Sequence, residues 1–145
     1  MLSESDPSGV TEERLLEEMS KRVGDSFQTP PMVSAVKVAG MPLYKHARKG
    51  RTVERKPRLI HIFQFKLLRF ENPEADFVMR CTKGTYVRTL CHDVGSDLGC
   101  GAHLTRLRRT RSGKLDISNA LPMDEVMQMT RDELAKHILP IRQFT

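Results

Sequence analysis

The chain has 145 residues and a net charge of +6, long enough for one domain with a core of its own. It contains no apolar run able to cross a bilayer as a helix and no signal-peptide pattern. Its three cysteines include no Cys-x-x-Cys pair, which argues against a disulfide scaffold or a structural zinc site and for reduced thiols in the cytoplasm.

Residues 1–25 carry seven acids against three bases, a net −4, which leaves +10 for the rest of a chain whose total is +6. An acidic opening before a basic body points to a polyanionic partner. Only 6% of residues are aromatic, too few for stacking along a long single strand. A structured RNA held by its backbone fits better.

In chain order, Thr11 is placed to cap a first helix, with Glu12 and Glu13 in its first turn and Leu15, Leu16, Met19 and Val23 as its stripe; Gly24 ends it. Pro30-Pro31 then sets an extended start, and Met32 to Val38 reads as a strand. Ala39-Gly40 turns the chain, and Pro42 opens a short helix ending near Gly50. Residues 45–58 hold seven cations, among them Arg48 and Arg58, opposed only by Glu54. Such a run is a solvated face or a row of contacts to an RNA backbone.

Residues 59–70 predict a long strand whose apolar phase slips from Ile60 and Ile62 to Phe63, Phe65 and Leu67, so a bulge is expected near 62–63. The turn Glu71-Asn72-Pro73-Glu74 returns it as a hairpin. In the second arm Phe77, Met79 and Cys81 share one face. Gly84 breaks that arm, Thr85 is placed as a helix cap, and Val87, Leu90, Cys91, Val94 and Leu98 recur at helical spacing. Lys83, Tyr86 and Arg88 therefore gather at a strand-to-helix corner, where free amides and the positive helix end favour an anion.

Gly99 and Gly101 reverse the chain, and residues 102–110 read as another strand, with Leu107 among Arg106, Arg108, Arg109 and Arg111. Ser112-Gly113 turns into a closing strand, Lys114 to Ile117. Two short helices follow, the second opened by a capping box at Thr130-Arg131-Asp132-Glu133.

Lys83-Gly84-Thr85-Tyr86-Val87-Arg88-Thr89-Leu90 resembles the segment that bears the active-site tyrosine and arginine of TruB-type tRNA pseudouridine synthases. Gln28-Thr29-Pro30-Pro31-Met32-Val33-Ser34-Ala35-Val36-Lys37, Leu43 to Gly50, Leu98 to Leu104 and Leu107-Arg108-Arg109-Thr110 resemble the same family. The resemblance covers roughly residues 26–115; Val33 departs from it, standing where the family usually has tyrosine.

The resemblance implies an α+β fold, a mixed, mostly antiparallel sheet with packed helices, divided into an acidic helical opening (1–25), half of a catalytic domain (26–117) and a helical tail (118–145). It implies isomerisation of a T-loop uridine of tRNA without metal or organic cofactor. Tyr86 would hold the detached base, Leu107 would line its pocket, and Lys83 and Arg88 would complete the site. Arg48, Arg58, Arg106, Arg108, Arg109 and Arg111 would meet the RNA.

Pseudouridine formation breaks the bond from ribose C1′ to uracil N1 and rejoins the ribose to C5, after the base has left its stack. It needs a carboxylate, which the family carries in a Gly-x-Leu-Asp-Pro type motif. No such motif occurs in this sequence, and Asp76, Asp93, Asp97 and Asp116 lie in segments that align elsewhere. The chain therefore resembles the second half of a synthase, expected to be inactive without the first half as partner; a further C-terminal RNA-binding domain is not visible. The alternative is a non-catalytic RNA-binding or RNA-folding module of the same fold. Arg88, which in the family pairs with the missing carboxylate, is expected to be solvated or paired with a substitute acid. Burying it alone would cost on the order of 3–5 kcal/mol.

Overall fold

A computed structural model describes residues 5–38 and 40–140. They form two compact units, a first up to Thr105 and a second from Arg106. The first is α+β: an antiparallel three-stranded sheet whose central strand is β4 (Arg58–Glu71), flanked by β1 (Gly24–Gln28) and β5 (Glu74–Cys81), covered on one face by two helices.

Helix α1 spans Glu12–Ser20, and the Thr11 hydroxyl accepts a hydrogen bond from the Arg14 amide as its N-cap. Leu15 and Met19 are buried, whereas Leu16 and Val23, expected on the same stripe, are exposed. Lys21 already ends the helix, and Gly24, with φ of 105°, begins strand β1 (Gly24–Gln28). The expected strand over 32–38 reduces to β2 (Lys37–Val38), paired with β3 (Met41–Pro42). Two prolines remove donors from 30–31, and the Ser34 and Val36 carbonyls accept from Tyr44 and Leu43 of the next helix instead of from a sheet. The expected turn falls partly on Ala39, outside the described residues; Gly40 has φ of 80°. Helix α2 (Leu43–Arg48) follows Pro42 as predicted.

The long strand is β4 (Arg58–Glu71), and its hairpin partner is β5 (Glu74–Cys81). The register shifts between Ile62 and Gln64, where the apolar phase slips. This shift lets one strand bury Ile60 and Ile62 before it and present Phe65 and Leu67 to the same side after it. Leu15, Met19 and Val94 form one core cluster with Phe65, Leu67, Phe70, Phe77 and Leu98 against it. Ile60, Ile62 and Leu90 form the other, with Phe65, Met79 and Cys81. Phe65 belongs to both. Helix α3 (Val87–Leu98) supplies Leu90 and Val94 and ends at Gly99, a left-handed C-cap with φ of 85°. The Arg22 and Asp97 side chains pair between the end of α1 and α3.

The expected strand over 102–110, which runs from the end of the first unit into the second, is not formed. Its residues have no regular structure, and the ladder is limited to β6 (Arg111–Ser112) with β7 (Leu115–Asp116). Two-residue strands cannot organise a sheet. The expected closing strand stops at Asp116, whose carboxylate accepts from the Ser118 amide and opens a 3-10 turn over Ile117–Asn119. Helix α4 (Met123–Gln128) and helix α5 (Arg131–His137) follow, and α5 carries the predicted capping box between Thr130 and Glu133.

Candidate active site

The strand-to-helix corner is stitched to the sheet from two sides. On one, the Thr82 amide donates to the His61 carbonyl (2.9 Å) and the His61 amide donates to the Thr82 hydroxyl (3.0 Å), so the end of β5 stays joined to β4. Lys83 and Gly84 then form the turn, with Gly84 at φ of 86°, a value that favours glycine. Thr85 does not cap the helix as expected. Its hydroxyl donates back to the Thr82 carbonyl at 2.9 Å, and Tyr86 occupies the N-cap position without a side-chain cap. Closing the turn uses the hydroxyl that would otherwise have served the helix.

On the other side Gln28, at the end of β1, reaches the corner. Its side-chain oxygen accepts from the Tyr86 amide at 2.7 Å, and its side-chain nitrogen donates to the Tyr86 carbonyl at 3.1 Å. Tyr86 is thereby half-buried and fixed by its backbone, whereas Lys83 and Arg88 on either side of it are exposed. Sequence reading placed Gln28 in a motif but gave it no role. The available signal was an uncharged polar residue next to two prolines at a strand end, which alternation alone does not distinguish.

The Arg88 side chain, in the first turn of α3, makes no hydrogen bond or ion pair with a described residue. It opens onto a shallow cavity of about 440 Å³ lined by Thr29, Pro31, Arg55, Thr89 and His92. Arg55 is held there by donating to the Pro30 carbonyl at 3.1 Å. Two guanidiniums and an imidazole thus line one depression with no acid among its lining residues. Like charges gathered without a counter-ion suit a carboxylate or a phosphate from outside. The free amides and dipole of the α3 N-terminus add to that preference. Arg55 belongs to the cationic run over 45–58 that the sequence offers to an RNA backbone, whereas nothing in the sequence marks His92.

A second depression, about 520 Å³, lies over Val33, Ser34, Ala35, Tyr44, Ala47 and Arg48. The Arg48 guanidinium sits 5.5 Å from the Tyr44 ring centre. Val33, where the family usually has tyrosine, is exposed at its rim. Arg58 is exposed at the start of β4. Leu107 is 61% exposed in the second unit, with Arg106, Arg108, Arg109 and Arg111 exposed around it. The structure thus brings Lys83, Tyr86 and Arg88 together in the first unit, and Leu107 belongs to the second.

The chain has counterparts among known proteins. The description "TruB family pseudouridylate synthase (N terminal domain)" matches residues 1–87, and "tRNA pseudouridylate synthase B C-terminal domain" matches residues 88–144. The tRNA pseudouridine synthase B of Opitutus terrae is 51% identical over 92% of this chain and 55% of its own length. That of Syntrophotalea carbinolica is 44% identical over 99% of this chain and 47% of its own. The chain therefore spans about half the length of these relatives. Among solved structures, a chain of a Cbf5-Nop10-Gar1 complex superposes with a TM-score of 0.59 at 33% identity, over 74% of this chain and 27% of that one. Two family descriptions meeting between Val87 and Arg88, together with relatives this close, leave one assignment: the chain belongs to the TruB family of pseudouridylate synthases.

Proposed function

We propose that this chain supplies the tyrosine–arginine part of a tRNA pseudouridine synthase that converts a T-loop uridine to pseudouridine. The nucleophilic aspartate comes from the part of the protein that matches the rest of its relatives' length. The observation that carries this reading is Arg88, solvated and without an acid, beside Arg55 and His92 at an open depression. A carboxylate entering there would be held ionised and oriented by the guanidinium, the condition a nucleophilic acid requires.

Within that reading the roles follow from the family resemblance. Tyr86, clamped by its backbone two residues before Arg88, holds the uracil after the C1′–N1 bond breaks. By the family resemblance, Lys83 and the arginines would steer the RNA backbone and Leu107 would meet the base. When C5 bonds to C1′, the C5 hydrogen leaves as a proton, so tritium released from 5-labelled uridine counts turnovers. The test is T-loop RNA labelled in that way, incubated with this chain alone, with a Gly-x-Leu-Asp-Pro bearing first half alone, and with both. Release only from the mixture is expected. Release from this chain alone refutes the proposed division of labour. No release from a mixture that binds the RNA favours the non-catalytic RNA-binding module, for which the exposed arginines of the second unit speak.

A further inference from the structure

Gln28 is 7% exposed and one of only two buried polar or charged side chains among the described residues. A buried amide is costly unless its donor and acceptor are both used. Here both are used on a single residue, because Gln28 accepts from the Tyr86 amide and donates to the Tyr86 carbonyl. Two residues facing each other in an antiparallel ladder exchange the same pair of bonds. The Gln28 side chain therefore acts as one extra peptide unit of β1, and Tyr86 is paired to it as a strand residue would be. Tyr86 has the backbone for this, with φ of −96° and ψ of 98°.

The same Tyr86 carbonyl also accepts the first intrahelical bond of α3, from the Leu90 amide at 3.1 Å. One carbonyl thus joins β1, the corner and the helix. The β1 end is itself rigid, since Gln28 is paired through its backbone with Arg58 of β4. We propose that Gln28 is a positioning residue for Tyr86, fixing where the phenol stands relative to Arg88 by gripping the tyrosine's backbone. Its catalytic consequence rests on the pseudouridine synthase reading above; the clamp itself does not.

The chemistry is specific to glutamine. Asparagine is one methylene too short to span the same gap. Glutamate keeps the acceptor but sets a carboxylate against the Tyr86 carbonyl, and methionine keeps the length and volume without either bond. The test compares Gln28→Met and Gln28→Glu with wild type in two measurements. In the first, amide hydrogen exchange on this chain is read residue by residue. Exchange of the Tyr86 amide is expected to rise at least about 10-fold in Gln28→Met, with Ile60, Ile62 and Val94 unchanged. In the second, tritium release is measured with the aspartate-bearing half supplied. A fall in kcat of about 10-fold or more is expected, with KM for the RNA within about 2-fold, as a misplaced reacting group produces.

Unchanged exchange at Tyr86 overturns the clamp. A uniform rise across β4 and α3 overturns it as well, because Gln28 would then be a general core residue. A KM increase with kcat unchanged overturns the positioning role. If the wild-type mixture releases no tritium, the isomerase reading fails, and the exchange result alone decides the clamp.

Discussion

Gly95 shows how a single hydrogen atom can hold a corner in place. The residue lies in α3 where the reversal after Gly99 folds back onto the helix, and the Gly101 amide donates to its carbonyl at 2.8 Å. A methyl group at Gly95 would stand 2.2 Å from the Ala102 nitrogen and 2.4 Å from the Gly101 carbonyl carbon, both backbone atoms that no rotamer change removes. Gly95→Ala is expected to destabilise the first unit by about 2–3 kcal/mol through overpacking, read as a lower denaturation midpoint with an unchanged m-value. Arg88→Ala makes the opposite kind of change. The side chain is exposed and has no partner among the described residues, so stability should hold while turnover of the completed enzyme falls on the order of 100-fold and RNA affinity changes little. Retained turnover would remove Arg88 from the site. At this scale the corner's residue types were readable because glycine, tyrosine and arginine each have one strong reason to stand there. The roles of Gln28, Arg55 and His92 at the corner were not readable, since they depend on which neighbour folds back upon them.

Among elements, α5 carries the clearest local instruction. Glu133 accepts from the Thr130 amide and hydroxyl, which holds its carboxyl below the usual glutamate range. Its folded value is lower than its unfolded one, so its support for α5 is complete above the usual range and is lost as pH falls through the folded value. The Thr130 amide shift should accordingly titrate at lower pH than a free glutamate, followed by NMR. Thr130→Ala should cost α5 about 1 kcal/mol, seen as faster amide exchange confined to that helix. The box was legible because both partners lie within one turn. The stretch over 102–110 was misread for the converse reason: a short run between turn glycines with Leu107 set among arginines resembles a strand, yet a strand exists only where another supplies its ladder. Its arginines are exposed all the same, and Arg106→Ala with Arg109→Ala should reduce the slope of log affinity against log salt by on the order of 1 per lost phosphate contact. An unchanged slope would return them to an ordinary solvated face.

At the scale of the first unit, α1 and α3 cover one side of the three-stranded sheet, and exposed apolar groups stand on the other. Phe27 and Leu59 face each other across β1 and β4 and are 75% and 62% exposed. Phe63 stacks at 4.5 Å on His61 beside them, and the Arg80 guanidinium lies 5.1 Å from its ring centre. Exposed apolar groups of this kind favour association, although His61, paired with Asp25 at 2.7 Å, stands between Leu59 and Phe63. Sedimentation of the chain should show concentration-dependent self-association that Phe27→Ser with Leu59→Ser reduces, while the buried face keeps its stability. The pattern of β4 made its length and bulge legible from sequence, but not which side would stay open, because that depends on what lies against it.

Phe65 touches both core clusters, and this has a kinetic side. Strand β4 acquires its native neighbours at unequal entropic cost: β5 arrives through a tight hairpin, but β1 must be recruited across the whole segment from Thr29 to Pro57. Closing that span is entropically unrewarded until the shared phenylalanine is enclosed. Truncating this one ring should therefore slow refolding as well as hasten unfolding, the behaviour of a nucleus rather than of a late-packing surface.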